Sequence, residues 1–120
     1  MKIVAALRIK NEEWIIKYNL SALSEFVDEI VIVDDGSTDN TVNFAKQFKK
    51  VTSIHVNKPK NDLDIDELKD WNKMTQLAIK QSADYILFTD ADEVLEPSIK
   101  NKIHNLLSKK DILLFKFRKV

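Results

Sequence analysis

The stretch Glu29-Ile30-Val31-Ile32-Val33-Asp34-Asp35-Gly36-Ser37-Thr38-Asp39-Asn40-Thr41 decides the fold. Ile30 to Val33 form an unbroken apolar, β-branched run, the pattern of a strand covered on both faces in a parallel sheet. Gly36, the only glycine in the chain, suits a turn with positive φ. Asp39 is then a candidate cap for a helix that starts near Thr41. Strand, polar turn and helix make the first half of a β-α-β unit.

The same alternation extends in both directions. Strands are expected at Ile3–Ile9, Glu29–Asp34, Val51–Val56, Asp84–Thr89 and Ile112–Lys119. Between the first two, Ile16, Leu20, Leu23 and Val27 recur at helical spacing. Asn11 is a candidate cap there, with Glu12 and Glu13 in the first turn. A second helix is expected over about Thr41–Lys49. A third, from about Asp66 to Gln81, carries Leu68, Trp71, Thr75 and Ala78 along one side. A fourth begins at Pro97 and buries Ile99, Ile103 and Leu106. Trp14 and Trp71 fall on helical faces, where packing in the core or at its edge is expected. Strands alternating with helices predict a doubly wound, mostly parallel, Rossmann-like α/β sheet of about five strands with helices on both faces. At 120 residues the chain is expected to form a single domain, 1–120.

Composition narrows the function. The 19 basic and 19 acidic residues cancel, so the overall basic footprint of a nucleic-acid binder is missing. Lys100, Lys102, Lys109, Lys110, Lys116, Arg118 and Lys119 face only Asp111 near the end, a pattern that a solvated helix face and strand end explain. The chain has no cysteine, which removes disulfides and thiolate metal sites and fits a reducing cytosol. The apolar stretch Ile3–Leu7 is too short for a signal peptide or a transmembrane segment. A cytoplasmic location is expected, with any membrane contact peripheral at the inner face. Val120 falls inside an expected strand, as it would in a fragment of a longer chain.

In an open parallel sheet, ligands bind beyond the carboxyl ends of the strands. The residues just after the strands therefore belong together: Arg8, Lys10 and Asn11; Asp34 to Asp39; and Asp90-Ala91-Asp92-Glu93. Carboxylates crowded at one edge call for a cation or for hydrogen-bond donors. Asp90, Asp92 and Glu93 offer only oxygen ligands, which suit Mg2+ or Mn2+ and leave positions open for phosphate. Turn formation accounts for an isolated Asp-x-Asp equally well. Turn and cap chemistry also explains Gly36, Ser37 and Asp39. Asp35 is surplus to that turn and could accept a hydrogen bond from a base. His55 and His104 are spaced as ordinary strand and helix residues.

Taken in order, three segments resemble the family 2 glycosyltransferases of the glycosyltransferase-A fold. They are Arg8-Ile9-Lys10-Asn11-Glu12-Glu13, the opening stretch Glu29–Thr41, and Asp84-Tyr85-Ile86-Leu87-Phe88-Thr89-Asp90-Ala91-Asp92-Glu93. The resemblance implies metal-dependent transfer of a sugar, with inversion, from a nucleoside diphosphate donor of the UDP, GDP or dTDP type. It makes a glycan or lipid-linked acceptor the expected partner, in surface glycan or lipopolysaccharide synthesis. The nucleotide-sugar site it implies comprises Arg8, Asn11, Asp34, Asp35 and Asp90. Asp35 matches the residue that reads the base, Arg8 the loop bordering that base, and Asp90 the position near ribose and metal. Asp92 matches the ligand of the divalent cation, Mn2+ or Mg2+, with Asp90 beside it.

The chain departs from the family in two places. The family often has an Arg-Asn pair in the third helix, where this chain has Trp71-Asn72. Its general base lies well downstream of the Asp-x-Asp, and after Glu93 the only acids, Glu96 and Asp111, do not match that position. The catalytic base is thus expected beyond Val120, and the chain by itself is expected to bind donor without completing transfer. One alternative is a non-catalytic nucleotide-sugar-binding module or inactive fragment. Another is a nucleotidyltransferase, which commonly has a glycine-rich phosphate loop where this chain has Arg8–Glu13.

Overall fold

A computed structural model of the chain describes residues 1–58, 67–92 and Lys102. The expected helix from Pro97 apart from Lys102, the strand Ile112–Lys119, the residues Asp66, Glu93 and His104, and most of the loop Asn57–Ile65 lie outside the described residues. The order of elements is β1 (Ile3–Ile9), α1 (Ile16–Ser24), β2 (Glu29–Asp34), α2 (Thr41–Ala45), β3 (Val51–Val56), α3 (Glu67–Lys80) and β4 (Tyr85–Asp90).

The first three strands have the expected bounds, because in a parallel sheet covered on both faces the strand is the apolar run itself. Strand β4 starts one residue late because Asp84 does a different job. Its carboxylate accepts from Lys2 N at 2.7 Å, while its own N–H donates to Lys2 O at 2.9 Å. Asp28 does the same at the entrance to β2, accepting from Ile3 N at 2.8 Å. Two acids thus hold the start of β1 between its neighbours.

The strands form one parallel sheet in the order β3-β2-β1-β4. Four of the about five expected strands are among the described residues. On one face, Ala5, Leu7 and Ile32 pack under Ile16, Leu20 and Leu23 of α1 and Ala45 of α2. On the other, Val4, Ala6, Val31 and Val33 meet Met74 and Ala78 of α3. Burial of each large aliphatic side chain contributes roughly 1.5–3 kcal/mol, so both layers hold the sheet firmly. At the end of α1, Lys50 Nζ donates to the carbonyls of Ser24 and Val27, satisfying groups the helix leaves open.

Three helix expectations need correction. Helix α1 begins at Ile16 and has no side-chain cap. Asn11 stands apart with φ 51°, in the left-handed region that Asn tolerates, and Glu12 O receives the first turn's amides from Ile15 and Ile16. Trp14 therefore lies in the turn before the helix, 67% exposed, where no core reaches it. Helix α2 stops at Ala45, because Gln47 and Phe48 close tighter turns onto Phe44 and Ala45 before β3. Helix α3 is rotated from the expected face. It buries Asp70, Met74 and Ala78, while Leu68 is 72% and Trp71 46% exposed. Trp71 covers the sheet from the side, stacked on Phe88 with ring centroids 4.1 Å apart.

Candidate functional site

The chain runs outward from β1 through β2 to β3, then returns to place β4 on the other side of β1. The strand order reverses at β1, and ligands in such sheets bind at that reversal. Arg8, next to the end of β1, is in register with Val33 on one side and Asp90 on the other. The pairing alone sets a cation between the Asp34-Asp35 and Asp90-Asp92 segments.

Arg8 enters a closed ring of side chains. Its Nη2 donates to Asp35 Oδ2 at 2.7 Å, and its Nε donates to Asp70 Oδ2 at 2.7 Å. Asn57 Nδ2 completes the ring, donating to Asp35 Oδ1 at 3.0 Å and Asp70 Oδ1 at 2.8 Å. The Asp35 and Asp70 side chains are each 2% exposed, and that of Arg8 is 25% exposed. Burial pulls the Arg8 pKa down, but the Asp70 hydrogen bond and the charges of Asp35, Asp70 and Glu67 outweigh it. The guanidinium is held above its ordinary value and stays charged.

The twin aspartates divide the work. Asp34, fully buried, accepts from Gly36 N at 3.1 Å and Ser37 N at 2.9 Å through Oδ2, and from the Ser37 hydroxyl through Oδ1. It shapes the turn, in which Gly36 takes φ 83° as the sequence predicts. With the turn held by Asp34, Asp35 can face the ring.

That turn is fastened to the loop after β1. Asn11 N donates to Ser37 Oγ at 2.8 Å, and Asn11 Oδ1 accepts from Thr38 N at 2.8 Å. Glu12 N donates to Thr41 Oγ1, and Glu13 accepts from Asn40 N. Asp39 accepts from the N–H and hydroxyl of Thr41, but the residue at the start of α2 is Asn40 and the helix has no side-chain cap, so Asp39 braces the turn before it instead of capping it as expected. Burial works to raise the Asp39 pKa, but these bonds and one from Glu13 N–H prevail and hold it below the usual carboxylate range.

At the end of β4 the character changes. Asp90 and Asp92 are exposed on either side of buried Ala91. Asn19 of α1, itself buried, donates to Asp90 O at 3.3 Å and ties this turn to the helix below. The Glu12 carboxyl is pushed up, first by burial, then by the charge of Asp92. Asp39 and Asp90 add to this, and a hydrogen bond from Trp14 offsets part of it. The turn and the loop after β1 thus share a negative field.

The family model for glycosyl transferase family 2 matches residues 7–119. The chain belongs to that family. A curated family relative, an uncharacterised glycosyltransferase of Mycoplasma pneumoniae, is 32% identical over 90 residues, 74% of this chain and 29% of that one. An uncharacterised protein of Methanocaldococcus jannaschii, MJ0544, is 32% identical over 95 residues, 78% of this chain and 42% of its own length. The chain thus spans less than half of either relative.

Among solved structures, residues 1–349 of TarS from S. aureus superpose with a TM-score of 0.65 at 22% identity, covering 91% of this chain and 33% of that one. Glucosyl-3-phosphoglycerate synthase from Mycobacterium tuberculosis, solved with Mn2+, UDP and glucosyl-3-phosphoglycerate, gives 0.63 at 21%, covering 92% and 40%. These likenesses establish the glycosyltransferase-A fold for this family 2 chain. Family membership also decides against the nucleotidyltransferase alternative.

The structure brings Arg8 and Asp35 together, sets Asp90 beside Arg8 in register, and uses Asn11 and Asp34 to hold the loops between them. Asn57 and Asp70 were not foreseen. The signal for Asp70 was present: Asp70, Met74, Leu77 and Ala78 form a helical stripe with an acid at its head, and a carboxylate on an apolar stripe needs a buried partner. Beside the ring lies a cleft of about 600 Å3, with Asn57, Asp70, His55, Asn72, Lys73 and Gln76 among its walls. His55, expected to be an ordinary strand residue, therefore fronts this space.

Among the described residues no three His, Cys, Asp or Glu side chains converge to hold a metal ion. The donor chemistry of Asp90 and Asp92 still suits a hard divalent cation, since both carboxylates reach solvent in a field that pushes Glu12 up. No helix among the described residues is long and apolar enough to cross a membrane.

Proposed function

We propose that this chain carries the nucleotide-sugar-binding part of an inverting, metal-dependent glycosyltransferase. The observation that carries the reading is the preset Arg8–Asp35 pair at the strand-order reversal, with Asp90 in register beside it. Asp35 is buried and oriented by Arg8 and Asn57. Asn57 is a neutral donor to it, and the N–H of a base can take that place. Arg8 borders the base, while Asn11 and Asp34 keep the two flanking loops in position. Asp90 and Asp92 would hold the divalent cation, Mn2+ or Mg2+, whose charge offsets that of the departing diphosphate.

The donor is a nucleoside diphosphate sugar of the UDP, GDP or dTDP type, and the acceptor hydroxyl belongs to a glycan or lipid-linked substrate in surface glycan synthesis. The protein would work in the cytoplasm, at most peripheral to the inner face of the membrane. In a single displacement the acceptor oxygen attacks the anomeric carbon, the diphosphate leaves from the opposite face, and a carboxylate takes the acceptor proton. No described residue near the ring stands ready for that last task. Donor binding is the part of that reaction assigned to Arg8, Asn11, Asp34, Asp35, Asp90 and Asp92.

Calorimetry with UDP, GDP and dTDP, with and without Mn2+, tests the reading. One nucleotide is expected to bind clearly better with metal. Asp35→Asn should weaken it by roughly 1.5–3 kcal/mol, the value of a hydrogen bond to a charged group. Equal binding by parent and variant would leave Asp35 a structural residue.

A further inference from the structure

Trp14 is large, apolar and 67% exposed, and it belongs to neither core layer. Tyr18, 73% exposed, follows four residues on. Ile16 N donates to Glu12 O and Asn19 N to Ile15 O, so the backbone between them is wound at helical spacing and both aromatic residues fall on one side. A single exposed apolar residue is ordinary, but two neighbouring aromatic residues at a ligand-binding edge call for a partner. The turn that carries Trp14 is bonded to the loop after β2, with Asn11 N and Glu12 N donating to Ser37 and Thr41, and Asn40 N donating to Glu13. The indole N–H donates to the Glu12 carboxylate, which feels the charge of Asp92. Helix α1 lies on one face of the sheet, and α3, which supplies Asp70 to the ring, on the other. A nucleotide running from Asp35 to a cation at Asp92 would therefore bring its sugar, not its base, toward Trp14.

Resting on the donor-binding reading above, we propose that Trp14, with Tyr18 beside it, is a stacking platform for a pyranose ring, that of the donor's sugar or of a glycan acceptor. The surroundings decide this ligand class. With its N–H engaged, the indole offers its ring face, whose negative quadrupole attracts C–H groups. Glu12, Glu13 and Asp39, carried by the two bonded loops, offer carboxylates, which accept strong hydrogen bonds from hydroxyls. A pyranose presents C–H groups on its faces and hydroxyls around its rim. An anionic lipid surface would meet the same acids with repulsion.

The experiment measures binding in Mn2+ by calorimetry for the parent chain, Trp14→Ala and Trp14→Phe. Its probes are UDP, GDP and dTDP, the glucose derivative of each, and maltotriose. The parent should bind a glucose derivative more tightly than its bare nucleotide, or bind maltotriose. Trp14→Ala should reduce that sugar-dependent affinity about three- to ten-fold. Trp14→Phe, which keeps a ring face without the N–H, should retain most of it. A loss confined to the glucose derivatives assigns the platform to the donor's sugar, and one confined to maltotriose assigns it to the acceptor. No loss in Trp14→Ala, an equal loss for bare nucleotides, or Trp14→Phe as weak as Trp14→Ala overturns the proposal. Sugar binding unchanged while Trp14→Ala lowers sedimentation with phosphatidylglycerol vesicles also overturns it, and makes this side a lipid contact. A parent that binds nucleotides but gains nothing from glucose and ignores maltotriose sinks this inference alone. A parent that binds no nucleotide removes the donor-binding reading, and this inference with it.

Discussion

Two acidic regions stand on either side of β1, and they are built by opposite rules. Toward β2 and β3, Asp35 and Asp70 are buried and joined to Arg8 and Asn57 in a ring. Toward β4, Asp90 and Asp92 are exposed, and their field reaches Glu12. The difference follows from what each can recruit. A buried carboxylate needs a partner from the chain itself, because water is not there to solvate it. An exposed carboxylate is solvated by bulk water and stays accessible to a cation from solution. In the proposed reading, base recognition and metal binding therefore fall to separate parts of one sheet edge.

The comparison breaks most visibly at Arg8. Arg8→Ala leaves Asp35 and Asp70 buried without the guanidinium that joins them. Removing one partner of a buried pair costs about 3–5 kcal/mol. Urea unfolding should show that loss, and a loss near zero would mean that water already solvates the ring.

How much of this was legible in the sequence depended on distance along the chain. The strands at Ile3–Ile9, Glu29–Asp34 and Val51–Val56 could be read because a doubly covered strand is a local apolar run. Asp35 could be read because Asp34 already satisfied the turn, leaving a second acid to be explained. Asp70 was harder, because the only local signal is an acid at the head of the stripe formed with Met74 and Ala78, while its partner Arg8 lies 62 residues away. Helix α3 turns Asp70 inward together with Met74 and Ala78. At α1, Asn11 looked like a cap, yet its partner is Thr38, in a loop 27 residues on. Local rules find elements, and long-range hydrogen bonds then decide where a polar residue points.

A middle-sized effect is expected between the two regions. Asp34→Ala takes the acceptor from Gly36 N, Ser37 N and the Ser37 hydroxyl at once. Part of that loss is recovered by water, because Gly36 and Ser37 are only half-buried. A cost of roughly 1–3 kcal/mol in urea unfolding follows. Since Asp35 leaves the same turn, nucleotide affinity should fall as well. Lost stability with unchanged nucleotide affinity would show that the ring holds Asp35 without help from its neighbour.

The smallest effect on the fold is expected at Asp92, and it sharpens the comparison most. Asp92→Ala removes a carboxylate that is exposed and that contributes to the field pushing Glu12 up. No buried void is left, and some like-charge repulsion is relieved, so stability without ligand should stay within about 0.5 kcal/mol of the parent. Binding should respond differently. A diphosphate carries several negative charges and would meet Asp90 and Glu12 with no cation between them. Mn2+-dependent nucleotide binding is therefore expected to disappear in calorimetry while the thermal melt barely moves. A structural aspartate would give the reverse: about 1 kcal/mol lost from the fold, as for a removed cap, with metal-dependent binding kept. That reverse pattern would withdraw the metal from Asp92 and make the turn after β4 a structural bend, leaving the buried ring as the only functional half of the edge.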